Sequence, residues 1–165
     1  MQIRLARLAD LAEIPAIERS AAGAFEGRDV PEWLLTDCAP ADTWQPHLDA
    51  GTLWIAEVDG QAVGYLAGRI ESPRLHIDEV DVLRGFQGQG IGRALLTTAA
   101  DWARANGLQA LSLTTFRNVP WNAPFYASFG FREWSAAEAP PSIQASLAAE
   151  TAKGLENRCA MVMDL

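Results

Sequence analysis

A glycine-rich segment in the middle of the chain carries the clearest chemistry. Residues 84–93 read RGFQGQGIGR, and a helical pattern of apolar residues begins where they end. Glycine adopts backbone conformations closed to other residues and lets a ligand approach the amides. A helix N-terminus adds unpaired N–H groups and a partial positive charge. The segment therefore predicts a cradle for an anion.

Two common anion-binding motifs do not fit this segment. It is not a Walker A loop, because no Gly-Lys-Ser/Thr follows. It is not the dinucleotide motif GxGxxG either: counted from Gly88, the third glycine is Gly92, one residue early, and Arg93 comes next. Another anion and a purely structural glycine turn remain as alternatives.

The strand-like run before the cradle changes its side-chain pattern halfway. Apolar residues occupy odd positions first, Leu75 and Ile77, and then even positions, Val80 and Val82. Side chains of a strand alternate between faces, so this change requires one extra residue. The pattern indicates a β-bulge near 78–79, although a strand end or a change of exposed face would also produce it. A bulge frees backbone groups, and a ligand could then pair where a neighbouring strand would.

Hydrophobic periodicity places both segments in a fold that mixes helices and strands. Asp10 is positioned to cap a first helix, a broken helical stretch covers 31–50, and Asp59-Gly60 marks a hairpin. The expected strands are 2–7, 52–58, 61–70, 75–83, 109–116, 131–134 and 159–165. Further helices are expected at 90–106, 122–129 and 142–153. This order predicts an α/β or α+β protein with helices covering a mixed sheet.

Composition limits the class of protein. The chain has 165 residues, 13 basic against 21 acidic side chains and a net charge of −8. One domain over residues 1–165 is expected. The acidic balance argues against nucleic-acid binding, and no apolar run is long enough to span a membrane. Cys38 and Cys159 have no partner at metal-ligand spacing, so we expect no metal, and a cytoplasmic location fits best.

Two motifs together resemble a known family. Residues 87–92, QGQGIG, fit the Gln/Arg-x-x-Gly-x-Gly/Ala signature of the GNAT superfamily of acetyl-CoA-dependent N-acetyltransferases. IDEVDV at 77–82 resembles the family's bulged fourth strand, and NAPFYASFGF at 122–131 its later tyrosine segment. The element order also agrees. The resemblance implies the acyl-CoA N-acyltransferase fold, whose central sheet is mixed, mostly antiparallel, with a splayed bulged strand and flanking helices.

The resemblance also implies a site for acetyl-CoA. The amides of the glycine-rich loop and Arg93 would bind the pyrophosphate, and the strand backbone would pair with the pantetheine arm. The Val82 amide is the expected donor to the thioester carbonyl. Gln87 is either a ligand contact or a solvated side chain, and the family's coenzyme-binding Asn maps to Asn118 or Asn122. The expected coenzyme-binding residues are Val80, Asp81, Val82, Gln87, Gly88, Gln89, Gly90, Ile91, Gly92, Arg93 and Asn122.

Acetyl transfer to an amine needs a base and an acid. An amine is mostly protonated at neutral pH, so a group must remove a proton. Glu79, at the expected bulge, is the favoured base, with Asp78 and Asp81 as alternatives. Tyr126 resembles the family's general acid, which protonates the leaving thiolate. Neither cysteine lies in the matching segments, which favours direct transfer in a ternary complex.

The acceptor is a small-molecule or peptide amine that the sequence does not identify. In this fold the first two helices border the acceptor site, which makes Phe25, Glu26 and Trp33 candidate contacts, with Trp121 as a further wall. Carboxylates and aromatic rings would suit a cationic amine. A non-catalytic acyl-CoA-binding module is the alternative function, and a homodimer is possible because dimers are frequent in the family.

Overall fold

A seven-stranded mixed sheet crosses the molecule in the computed structural model, which describes residues 1–165. The strand order is β1-β2-β3-β4-β5-β7-β6, and every pair is antiparallel except β4 with β5. The strands are β1 Gln2–Leu5, β2 Leu53–Val58, β3 Gln61–Glu71, β4 Arg74–Val82, β5 Ala110–Phe116, β6 Arg132–Trp134 and β7 Arg158–Asp164. This is the mixed, mostly antiparallel sheet expected from the sequence.

Helices cover both faces of the sheet. The α-helices are α1 Ile14–Ala22, α2 Glu32–Thr36, α3 Gln45–Ala50, α4 Ile91–Ala105, α5 Ala123–Phe129 and α6 Pro141–Ala152. Short 3-10 helices span Leu8–Ala12, Gly23–Phe25, Ala41–Trp44 and Arg84–Phe86. None of the helices is both long and apolar enough to cross a bilayer.

Two apolar cores lie on opposite faces of the sheet. The larger one packs α4 and α5 residues, among them Leu95 and Tyr126, against sheet residues such as Leu111. The second packs Ile14 and Ile17 of α1 against Tyr65 of β3. Burial of these side chains supplies the main stabilisation, about 25 cal/mol per Å² of apolar surface.

The predicted bulge is present in β4. Glu79 pairs with Ala67 and Ile77 pairs with Gly68, which leaves Asp78 as the extra residue. The hairpin before it forms as predicted, because Asp59 and Gly60 both adopt positive φ, 50° and 78°, as a type I′ turn requires.

β4 and β5 separate after a short parallel contact. Only residues 74–76 pair with residues 110–112. Beyond them the second half of β4 keeps β3 as its neighbour, while β5 keeps β7. The resulting gap between adjacent strands is the splay expected from the sequence, and the glycine-rich loop begins next to it.

The expectation that Asp10 caps the first helix is wrong. Helix α1 begins at Ile14, and Asp10 lies in the preceding 3-10 helix. Its carboxylate accepts hydrogen bonds from the Arg4 guanidinium at 2.7 and 2.9 Å and from the Arg7 amide at 2.6 Å. An ion pair with β1 therefore takes the place of the helix cap.

Candidate active site

The gap between β4 and β5 opens into a cavity of about 1190 Å³. Its walls come from the second half of β4, the end of β5, the loop before α4, and parts of α1, α2, α5 and α6. Most of the predicted site residues line it, as Glu79, Tyr126 and the glycine-rich loop illustrate. Gln89 and Glu26 do not.

The glycine-rich loop presents free amides. None of the N–H groups of residues 88–93 donates a backbone hydrogen bond within the chain. Gly88 and Gly90 have φ of 75° and 83°, in the left-handed region that favours glycine. Gly90 directly precedes α4, so these amides surround a helix N-terminus, where an anion is stabilised.

Side chains of the loop hold it in place. The Gln87 side-chain amide donates to the Val82 carbonyl at 3.0 Å, and that of Gln89 donates to the Gly85 carbonyl at 3.3 Å. Arg84 ties the loop to α1, because its backbone amide donates to Ser20 Oγ at 3.0 Å and its guanidinium donates to the Gly23 carbonyl. Gln87 is thus engaged with the chain itself.

Arg93 adds a positive charge beside the cradle. Its guanidinium donates to Ser128 Oγ at 3.1 Å and lies 5.4 Å from the Phe129 ring centroid. Both partners belong to α5, so the interaction joins the first turn of α4 to the helix that carries Tyr126.

Three carboxylates with raised pKa values line the cavity, those of Glu18, Glu79 and Asp81. Burial raises the pKa of Glu79 to about 7, and the charges of Glu18 and Asp78 add to the rise. Burial also raises the pKa of Asp81, with contributions from Glu79 and Glu18, and that of Glu18 itself. A carboxylate that is about half ionised near neutral pH is well matched to proton transfer.

Asp78 differs from its two neighbours because it is already paired. Its carboxylate lies 2.7 Å from His47 Nε2 on α3 and 3.3 Å from the Arg69 guanidinium on β3. Asp81 has a weaker partner, the Tyr65 hydroxyl at 3.5 Å. Of the three carboxylates in β4, Glu79 and Asp81 therefore remain available to the cavity.

Tyr126 reaches the cavity from α5. Its ring is held edge-on by Phe125 and Phe131, with centroids at 5.2 and 5.7 Å. Burial raises the pKa of its hydroxyl above the usual value, and the charges of Glu79 and Asp81 add to this. The hydroxyl consequently stays protonated at neutral pH and has a proton to donate.

Asn122 precedes α5 but does not cap it through its side chain. Its Oδ1 accepts a hydrogen bond from the Phe116 amide at 3.4 Å, which fastens the end of β5 to the start of α5. Pro124 occupies the first turn of the helix, where its missing N–H is tolerated.

An aromatic wall lines the part of the cavity where the sequence predicts acceptor contacts. Phe25 contacts Phe116 and Trp121, with ring centroids at 5.5 and 5.6 Å. Trp33, 36% exposed, donates its indole N–H to the Lys153 carbonyl at 3.1 Å and so joins α2 to the segment after α6. Glu26 is exposed and does not line the cavity.

Sequence reasoning missed several cavity residues. Glu18 lies one turn after Ile14 on the buried face of α1, and a carboxylate in that position is the signal that could have found it. Thr114, Glu150 and Arg158 come together only because β7 pairs with β5 and α6 packs against both. No local spacing indicates that contact.

The arrangement has the parts needed to bind an anionic thioester ligand and move protons beside it. Free amides can hold phosphate groups, the splayed strand can hydrogen-bond an extended chain, and Glu79 and Tyr126 line the same cavity. The structure contains no cluster of metal-ligating side chains of the kind that could hold an ion.

Known proteins share both the fold and parts of the sequence. The PaiA N-acetyltransferase of Thermoplasma acidophilum, solved with coenzyme A, superimposes with a TM-score of 0.76 at 14% identity, over 99% of this chain and 98% of that one. The N-acetyltransferase 8 of Mus musculus is 30% identical over 110 residues, which cover 63% of this chain and 48% of the relative. The L-2,4-diaminobutyric acid acetyltransferase of Nocardia farcinica is 35% identical over 85 residues, 50% of this chain and 44% of the relative. The chain spans about half the length of these curated relatives or less.

The fold is accordingly that of the acyl-CoA N-acyltransferases, with a bulged, splayed strand beside a glycine-rich helix N-terminus. The model of the acetyltransferase (GNAT) family matches residues 15–131, which include the cradle, Glu79 and Tyr126. The chain belongs to the GNAT family.

Proposed function

We propose that the protein is an N-acetyltransferase that moves the acetyl group of acetyl-CoA to a primary amine by direct transfer within a ternary complex. Residues 1–165 form the single domain that does so. The observation that carries this proposal is the placement of Glu79 and Tyr126 on one cavity with a glycine-rich cradle whose amides are free.

The cavity offers groups that would bind the coenzyme. The amides of residues 88–92, together with Arg93, would bind the pyrophosphate. The backbone of residues 80–82, on the open edge of the splay, would hydrogen-bond the pantetheine arm, and the Val82 amide would stabilise the oxyanion that forms at the thioester carbonyl. Gly64 allows β3 to pack closely here, since a Cβ at this position would lie 2.9 Å from the Asp81 carbonyl oxygen.

Two side chains would then transfer the protons. Glu79, with a pKa of about 7, accepts a proton from the acceptor ammonium, directly or through water, and leaves a nucleophilic amine. The amine nitrogen bonds to the acetyl carbon, and the bond from that carbon to sulfur breaks. Tyr126 donates its proton to the departing thiolate, so coenzyme A leaves as the thiol. The nitrogen loses its second proton on becoming an amide, and this proton returns to the Tyr126 oxygen, directly or through water.

The electrostatics of the cavity favour a cationic amine. Six carboxylates and two arginines line it, and a negative excess attracts an ammonium group. The Nocardia relative is named for an amino acid whose amine is acetylated, which is consistent with a small amine acceptor.

An amine panel tests the proposal. Release of free coenzyme A thiol from acetyl-CoA is followed with amino acids, polyamines, aminoglycosides and peptides as acceptors, and the product is confirmed by mass spectrometry. We expect thiol release that depends on at least one primary amine. Stable binding of acetyl-CoA without thiol release for any amine would instead identify a coenzyme-binding module.

A further inference from the structure

A second arginine lines the cavity, and it lies on β7 rather than at the glycine-rich cradle. Arg93 stands beside the cradle on α4, whereas Arg158 is the first residue of β7 and pairs across the sheet with Phe116 at the end of β5. Its side chain is only 16% exposed. A buried guanidinium is costly unless its N–H groups find acceptors, so the partners of Arg158 show what it is arranged to do.

Glu150 and Thr114 hold the guanidinium in one orientation. Nε and Nη2 of Arg158 donate to the Glu150 carboxylate at 3.1 and 3.3 Å, and Nη2 also approaches Thr114 Oγ1 at 3.4 Å. The Thr114 hydroxyl donates to Glu150 at 2.6 Å, and the Phe116 ring centroid lies 4.6 Å from the guanidinium carbon. These bonds use Nε and Nη2, which leaves the N–H groups of Nη1 for another acceptor.

Arg158 lies within electrostatic reach of both groups proposed to move protons. Its positive charge opposes the rise in the pKa of Glu79 and that of Tyr126. The cavity thus holds carboxylates and a fixed guanidinium within reach of each other, an arrangement complementary to a ligand that carries an ammonium and a carboxylate. A guanidinium is well suited to bind a carboxylate oxygen.

We propose that Arg158 binds a carboxylate of the acceptor, so that the preferred substrate is an amino-acid-like amine whose carboxylate lies a few bonds from the nitrogen that is acetylated. This inference rests on the proposed function and deepens it by naming the substrate class. The ammonium faces Glu79 and Asp81, and the carboxylate accepts from Nη1 of Arg158. Glu150 is a positioning residue that fixes the guanidinium.

Matched acceptors test the inference on the unmodified protein. Each set contains an L-amino acid, its carboxamide and the amine without the carboxyl group: leucine, leucinamide and isoamylamine; phenylalanine, phenylalaninamide and phenethylamine; lysine, lysinamide and cadaverine. Values of kcat/KM are expressed per ammonium form, which the proposal places beside Glu79, because the carboxamides have more acidic ammonium groups. We expect the best amino acid to exceed both of its analogues at least about tenfold, which corresponds to about 1.4 kcal/mol.

Variants connect that preference to Arg158. The double variant Arg158→Gln/Glu150→Gln removes both charges together and should reduce the preference to less than about threefold. Arg132→Gln, at an arginine 59% exposed on β6, is the matched control and should keep the full preference. Arg158→Lys keeps the positive charge but loses the planar set of guanidinium N–H donors, so it should give an intermediate preference. This variant tests the inference if the double variant does not fold.

The outcomes separate this inference from the proposed function. Acetylation of amines with no advantage for a carboxylate, or an advantage that survives in the double variant, overturns the role of Arg158 and leaves the acetyltransferase proposal standing. Failure to acetylate any amine overturns both.

Discussion

Replacing Glu79 with glutamine should stabilise the coenzyme-free protein, and the gain should grow as the pH rises. The pKa of Glu79 is about 7 in the folded protein and 4.5 in its ordinary state. Since the unfolded chain ionises this carboxyl more readily, ionisation favours unfolding. The penalty is absent below pH 4.5, grows between pH 4.5 and 7, and is complete above pH 7. Glutamine removes it.

The size of the effect follows from the difference between the two pKa values. One pKa unit corresponds to about 1.36 kcal/mol, so the gain in unfolding free energy should increase by at most about 2 kcal/mol between pH 5.5 and pH 8.5. About 1 kcal/mol shifts the Tm of a protein of this size by about 2–4 °C. The two pH values also stay clear of the isoelectric point near 4.7.

Thermal unfolding at the two pH values measures the effect. Glu79→Gln is compared with the wild type and with Glu156→Gln, a substitution at an exposed glutamate before β7. We expect a Tm gain for Glu79→Gln that widens by several degrees toward pH 8.5, and no such trend for the control. A gain of equal size at both pH values, or a loss of stability at pH 8.5, would refute the electrostatic account of this carboxylate.

Three further predictions concern the reaction itself. Tyr126→Phe should lower kcat by about 10²–10⁴-fold with little change in acetyl-CoA affinity, measured by steady-state kinetics and calorimetry; an unchanged kcat would remove the acid role. In the wild type, kcat/KM for the acceptor should rise with pH through about 7, the pKa of Glu79, and Glu79→Gln should abolish this rise; a rise that persists assigns the base to another group. Gly90→Ala, at a φ of 83°, should cost about 1 kcal/mol and weaken acetyl-CoA binding in calorimetry, whereas Gly85→Ala, which meets open space at an ordinary φ, should not; equal affinities would argue against the cradle.

Local patterns predicted most of the fold. The parity change across β4 indicated an extra residue, and the structure has it at Asp78. The Asp59-Gly60 turn and the helix after the glycine-rich segment also form as predicted, because turn geometry and apolar periodicity depend on residues close in sequence. The free amides of the glycine-rich loop also depend on nearby residues, since one loop and one helix end hold them.

Features that depend on distant residues were harder to predict. Asp10 has the right type for a helix cap, but the Arg4 guanidinium competes for its carboxylate. Arg158 meets Glu150 and Thr114 only through the β5–β7 pairing, which no spacing in the sequence reveals. Glu26 lies in the stretch of chain expected to contact the acceptor, yet its side chain is exposed and does not line the cavity.

The hydrogen bond from the Trp33 indole to the Lys153 carbonyl joins two segments that are far apart in sequence. The cavity residues proposed to bind acetyl-CoA lie in the middle of the chain, at 77–93 and 122–129. Apart from Trp121, the walls proposed for the acceptor come from two segments far apart in sequence, 18–39 and 150–158. The two walls meet where the Trp33 indole reaches the Lys153 carbonyl and where Gly154 packs beside Pro31. A chimera that imports a different specificity should therefore exchange both walls as one matched unit. Exchanging one wall alone would remove these contacts between the two walls and leave the rest of the cavity unchanged.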